Sequence, residues 1–440
     1  MSEEFRIDCK WLGRQTGSPI DRGFYADIGL AVGDDWLTVL EDLEASTVRH
    51  HLRGCVHRLA MWFAANWWRL RWEPESGSSR KDVDWRIAHS VGSAGGGYVW
   101  PNVLFASDGE WLTIASIPRP RSAEFEPIRY LNNLLARITA AEFERKVDAF
   151  MEGVLSRLHS LGIEGDQLPA LWAEVVAERQ DSQATRWRKL EALCGYDPDE
   201  APSETIETLM ADRASLGSSA LEEVAAHGRH GIATVLSQIC TLATSNAMPT
   251  AGGFRGKMPA LSGKQEYAAG ARPWQRADQL AREARKDWGL AKEPVTNGRL
   301  ADLLGTDAKV FTGRDKGPTA MPILLREETK GSIDLYFNSS WSTSRRFATG
   351  RLMGDYLYHA NGDRLIPATE ARTSRQQFQR AFAQEFLCPF DALQEKIQTD
   401  QPDDEDIAEA ADHFGVSPLL VCTTLVNKGE LDREVLAWAG

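Results

Sequence analysis

The chain is short of cysteine, of positive charge and of long apolar runs. Its six cysteines, Cys9, Cys55, Cys194, Cys240, Cys388 and Cys422, are scattered and form no C-x-x-C pair. That fits reduced thiols in a cytoplasm better than a disulfide framework. No window approaches the ~20 apolar residues that span a bilayer. The opening residues MSEEFRIDCKW are too acidic and too poor in apolar side chains for a signal peptide. A cytoplasmic protein without a membrane partner is expected. Lys and Arg total 50 against 63 Asp and Glu, a net charge of −13. This argues against wholesale coating of nucleic acid and leaves room only for a local basic patch. There is no G-x-x-x-x-G-K-[ST] loop, so P-loop nucleotide hydrolysis is excluded, and no G-x-S-x-G nucleophile elbow. No cofactor is expected.

What is present is enough chain, 440 residues, for two or three domains with their own cores. The pattern predicts an α+β fold, mostly helical. Residues 1–140 read as a Trp-rich α+β domain. Strand-like runs cover 5–11, 24–32, 36–39 and 111–117, and a long helix covers 48–71. Residues 141–247 read as a helical interaction module, opened by the stripe Phe143, Val147, Phe150, Val154, Leu158 and Leu161. Residues 248–272 carry glycine and proline at close intervals and read as a linker. In 273–440 a small sheet, with strands at 308–312, 323–326 and 332–338, is packed with helices. The helices are expected at 273–288, 296–304, 342–359, 373–387, 403–414 and 417–428.

The first domain holds Trp11, Trp36, Trp62, Trp67, Trp68, Trp72, Trp85, Trp100 and Trp111. These could form a stacking platform for bases. Their helix and strand periods favour an aromatic core instead. The run Trp67-Trp68-Arg69-Leu70-Arg71-Trp72 breaks that period, and some of its residues should face outward. Trp67, Trp68, Arg69, Arg71 and Trp72 are therefore candidates for a contact surface with a partner chain or with the helical array. Through the same surface, association with nucleic acid is an alternative reading. His50, His51, Cys55 and His57 are potential metal ligands, with His51 and Cys55 one helical turn apart, but the spacing is not that of a structural site. Arg179, Arg186, Arg188 and Lys189 could meet a phosphate backbone. Glu174, Glu178 and Glu191 balance them and make a solvated face the better reading.

The most informative stretch runs from Arg345 to His359. Phe347, Leu352, Met353, Tyr356 and Leu357 recur at helical spacing, and Gly354 allows close packing. Further on stands Phe382-Ala383-Gln384-Glu385-Phe386-Leu387-Cys388-Pro389. Over residues 273–440 the chain resembles the ImmA/IrrE-like metallopeptidases. Those show R-F-x-x-A-H-E-x-G-H-x-x-x-H, followed by a helix with E-A-N-x-F-A-A-x-L-L-M-P. Arg346-Phe347, Gly354 and His359 match. At the two ligand positions, where histidines would hold zinc, stand Arg351 and Asp355. Leu352 replaces the general base, and Phe378 replaces the third ligand. Arginine offers no lone pair to a metal and leucine takes no proton. The resemblance thus implies a zincin-like fold without catalytic residues and without metal.

The expected role is that of a pseudoenzyme, a protein-binding or regulatory module. Active members of the family act on DNA-binding repressors, so the resemblance implies a protein partner, a DNA-binding regulator or complex subunit. The setting would be a bacterial stress, mobile-element or phage-defence system. The alternative is a hydrolase with a remodelled metal site built from Asp355, His359, Asp363 and Glu385. Cys388, flanked by Leu387 and Pro389, reads as a core thiol rather than a nucleophile. Arg351 and Asp355, at i and i+4, are expected to pair in place of the metal.

Overall fold

This computed structural model describes residues 4–75, 83–118, 127–228, 231–245, 248–249, 252–263, 266–327, 331–359, 362–399 and 401–433. About 50% of the chain is helix and 16% strand in several small antiparallel sheets, which makes it a mostly helical α+β protein. Among the described residues no helix is long and apolar enough to cross a membrane. The chain divides into two compact units: residues 1–206 with 371–373, and residues 207–370 with 374–440. The boundary falls inside the stretch read as one helical module.

In the first unit, strand Phe5–Trp11 pairs antiparallel with Tyr25–Val32, which also pairs with Leu52–Cys55. A second sheet joins Val103–Ser107, Trp111–Ser116 and Leu134–Thr139. The expected helix at 48–71 begins later, at Val56, because residues 47–49 and 52–55 are strands. Alternation decides that segment: Leu52, Gly54 and Cys55 are buried while Arg53 is exposed. The helix Ala140–Ser160 starts at Thr139, whose hydroxyl accepts from Glu142 N at 3.1 Å. Its stripe of Phe143, Val147, Phe150, Val154 and Leu158 is buried against the aromatic core. Leu161 lies beyond the helix end and is exposed.

The second unit is organised on one four-stranded antiparallel sheet. Its order is Gly253–Lys257, Ser332–Tyr336, Ile323–Arg326, Leu365–Pro367. The first strand lies in the stretch expected to be linker. Phe254 is buried there opposite Leu335, and Arg255 forks onto Asp334 at 2.6 Å through both Nε and Nη2. A glycine-rich stretch can thus be a strand once a partner strand takes its backbone groups. The strand expected at 308–312 is instead a 3-10 turn, Ala308–Phe311, started by the Asp307 side chain, which accepts from Lys309 N.

Two helices cross beneath the sheet, Ser342–Tyr358 and Ser374–Leu387. Small residues let them approach. A Cβ added at Gly354 would sit 2.4 Å from Phe382 Cγ, and one at Gly350 would sit 3.0 Å from Ala383 Cβ. Leu352, Met353, Phe382 and Phe386 are fully buried in the same core. The last helix begins at Ser417, whose hydroxyl accepts from Leu420 N at 3.2 Å, with Pro418 in the first turn.

Candidate functional site

The Asp355 side chain is completely buried, a position an ionised carboxylate holds only with partners. It has four partner contacts. Arg375, from the first turn of the second helix, donates Nε to Oδ2 at 2.6 Å and Nη2 to Oδ1 at 2.9 Å. Gln379 Nε2 donates to Oδ2 at 2.6 Å, and His359 Nδ1 lies 3.0 Å from Oδ1. Burial pushes the Asp355 carboxyl up, but Arg375 and His359 outweigh it and hold it below the ordinary carboxylate range. The same contact raises the Arg375 guanidinium, against the pull of its own burial.

Arg375 also reaches Asp363 Oδ2 through Nη1 at 3.3 Å. Asp363 accepts from Ala220 N at 2.7 Å and from the Ser219 hydroxyl, so it caps the start of helix Ser218–Ala226. Gly217, at φ +105°, is needed there, since a Cβ would fall 2.1 Å from Asp363 Oδ1. One guanidinium therefore bridges the carboxylates of Asp355 and Asp363.

The expected pair of Arg351 with Asp355 is not formed. Arg351 turns the other way, and its Nη2 donates to Thr369 O at 2.6 Å and to Gln376 Oε1 at 2.5 Å. The i, i+4 spacing made pairing sterically open. Arg375 wins because its planar fork meets the carboxylate edge on, with two parallel bonds. Burial pulls the Arg351 guanidinium down to about 9, which leaves it charged at neutral pH. Leu352 is buried in the core, and Phe378 is buried with its ring 4.4 Å from that of Tyr358.

Of the residues named for a remodelled metal site, Asp355, His359 and Asp363 come together, but around Arg375. Glu385 is elsewhere, accepting from Arg282 Nε at 2.8 Å. The His359 ring meets Asp355 through Nδ1, and no described hydroxyl or thiol bonds the ring. The dyad has the orientation of a general base without a nucleophile to serve. Among the described residues no cluster of three His, Cys, Asp or Glu could hold a metal ion. The Cys388 thiol is buried, and burial, then Glu385, pushes it up to about 12, so it is a core group.

The candidate contact surface at Trp67, Trp68, Arg69, Arg71 and Trp72 is corrected by its burial. Trp67, Trp68 and Arg69 are 1%, 3% and 2% exposed. Arg69 is held by Glu73 at 2.6 Å and by Asp84 and Asp197, and Arg71 by Glu144 at 2.5 Å and Gly109 O. Trp68 Nε1 donates to Glu178 at 2.9 Å, and the Arg71 guanidinium lies 3.7 Å from the Trp72 ring centre. The segment packs on helices Leu168–Gln180 and Ser182–Leu193, so its interface is with part of the helical array, inside the first unit. Trp67, Trp68 and Arg69 therefore offer no surface to nucleic acid, while Arg71 and Trp72 are half-buried. An arginine such as Arg69 can be buried among tryptophans when it finds carboxylates. That is information on distant residues, which the local period does not carry.

His50 stacks on Trp36, His51 packs tilted against it, and His57 Nε2 lies 2.9 Å from Asp166, so the suspected ligands diverge. Arg188 is tied to Glu178, Glu191 and Asp199, but Glu191 is buried and Arg188 nearly so, so this part of the expected solvated face faces inward. Arg179 forks onto Asp148 at 2.7 and 3.0 Å.

Sequence reasoning missed Arg375 and Gln379. Their signal was spacing: both lie one face of a helix apart, at i and i+4, ahead of Phe382. Arg346, noted in the sequence only for its match to the motif, is buried in the helix that also carries Asp355. Arg346 donates to Gly415 O at 2.7 Å, Asn297 Oδ1 at 2.7 Å, Val295 O at 2.5 Å and Phe414 O at 3.1 Å. No protein-family model matches the chain, and no curated protein matches it.

Proposed function

We propose that residues 273–440 are a degenerate ImmA/IrrE-like domain that binds and regulates another protein without hydrolysing it. The observation that carries this reading is the bridge of Arg375 between Asp355 and Asp363. In a zincin a dication ties the motif helix to the next one. Here a guanidinium from the second helix makes that tie, and both carboxylates that could have gripped an ion are already neutralised. A metal would have to displace a buried bidentate ion pair, which is costly. The partner is a DNA-binding regulator or a complex subunit, in a bacterial stress, mobile-element or phage-defence setting.

The test is to mix purified protein with the DNA-binding regulators encoded beside it. Association is followed by calorimetry and integrity by mass spectrometry. Stoichiometric binding with both chains intact is expected. Cleavage of the regulator that Asp355→Ala or His359→Ala abolishes would instead favour a remodelled hydrolase.

A further inference from the structure

The second unit holds a cavity of about 190 Å³, lined along the motif helix by Ser344, Phe347, Ala348 and Arg351, one turn before Asp355. Its wall is apolar at Met321, Phe347 and Ala368, with Arg351 at its inner end and Glu370 at its rim. Arg351 is only 8% exposed. Its Nη2 is used by Thr369 and Gln376, while Nε is buried with no hydrogen-bond partner. Its Nη1 makes no hydrogen bond with any described residue and is not sealed off as Nε is. A buried guanidinium whose Nη1 stands open without a partner is costly unless something accepts from it.

We propose that this cavity binds a small organic carboxylate, with its anionic oxygens on Arg351 and a short apolar body against Met321, Phe347 and Ala368. The size suits it: the space equals that of about six waters at ~30 Å³ each, room for an acid of a few carbons. The charge selects the class. Only one guanidinium nitrogen is open, and Glu370 adds a negative charge at the rim, so a monoanion is accommodated and a phosphate dianion is repelled. The inference uses no catalytic role and stands apart from the regulatory reading above.

Isobutyrate is the probe, titrated into the full chain at constant ionic strength and followed by saturation-transfer NMR, with chloride as control. Saturable one-to-one binding is expected. Glu370→Gln changes an exposed side chain and should tighten binding about two- to fivefold, the scale of an exposed charge effect. Arg351→Gln should weaken it at least tenfold. Ala348→Leu, which fills the cavity with Arg351 intact, should do the same. If Arg351→Gln does not fold, the other two variants decide. No saturable signal in the unaltered protein overturns the assignment. So does binding that Ala348→Leu leaves unchanged, binding that Glu370→Gln fails to tighten, or inorganic phosphate binding more tightly than isobutyrate.

Discussion

Asp355 concentrates the residue-scale argument. Its carboxylate is fully buried and takes two parallel bonds from Arg375. Removing either partner strands a charge, at a cost of about 3–5 kcal/mol for a deeply buried pair. Denaturant melts of Asp355→Ala, Arg375→Ala and the double change should give a double change that costs clearly less than the sum. The same cycle between Arg351 and Asp355 should be additive within about 0.5 kcal/mol, since the two share no hydrogen bond. A coupling of the reverse pattern would place Arg351, not Arg375, on the carboxylate. The pH dependence has a defined sign. The Asp355 carboxyl is depressed in the folded chain, so the unfolded chain binds its proton first as pH falls. Its contribution is complete above the ordinary value of 3.8 and is lost as pH falls from there towards the folded value. Asp355→Asn, compared with the unaltered chain between pH 6 and 3, should flatten the acid limb of the stability curve. An unchanged slope would show that other carboxylates govern it.

Among elements, the two helices carrying this network approach closely. Gly354 is helical and needs no special backbone angle. It matters because Phe382 lies where a Cβ would be. Gly354→Ala should therefore destabilise by about 1–3 kcal/mol, as overpacking does, despite alanine's better helix propensity. A melt showing stabilisation would mean the helices separate easily, and the tie through Arg375 would then be loose. Helix ends here were readable locally. Ser417-Pro418 and Pro273 stand where capping chemistry puts them, and the structure starts helices at Pro418 and Pro273. Strands were less readable where they are short or glycine-rich, as at Gly253–Lys257 and Leu365–Pro367, because their stability comes from neighbours far along the chain.

For the whole molecule, each unit has its own core, one built around Trp67, Phe105 and Phe143, the other around Leu352, Phe382 and Phe386. In the second unit Arg375 sits between two carboxylates. Chelation with EDTA should leave the melting midpoint unchanged within about 1 °C, and elemental analysis should find less than 0.1 zinc per chain. For comparison, a tightly bound structural metal supplies folding energy of about 10 kcal/mol. A large drop in midpoint on chelation would refute the substitution of cation for metal. Native alkylation should spare Cys388, whose thiol is buried and pushed up to about 12. Rapid labelling there by iodoacetamide, seen by mass spectrometry, would mean that this core opens.

The sequence by itself determined the α+β class, the helices from residue 273 on apart from Phe390–Lys396, and the identity of the residues at the motif positions. These depend on period, capping and composition, which are local. It also identified Gly354 as a place of close approach. Only the tertiary structure decided which charges meet. Arg351 and Asp355 are neighbours on one helix, yet Arg375, twenty residues on from Asp355, takes the carboxylate. Trp68 and Arg69 look like surface in sequence and are buried, and Arg71 is half-buried, because Glu178, Asp197 and Glu144 come to them. The sign and reach of an ion pair depend on distance in space, on burial and on the geometry of the fork, and none of these is written in the order of residues along the chain.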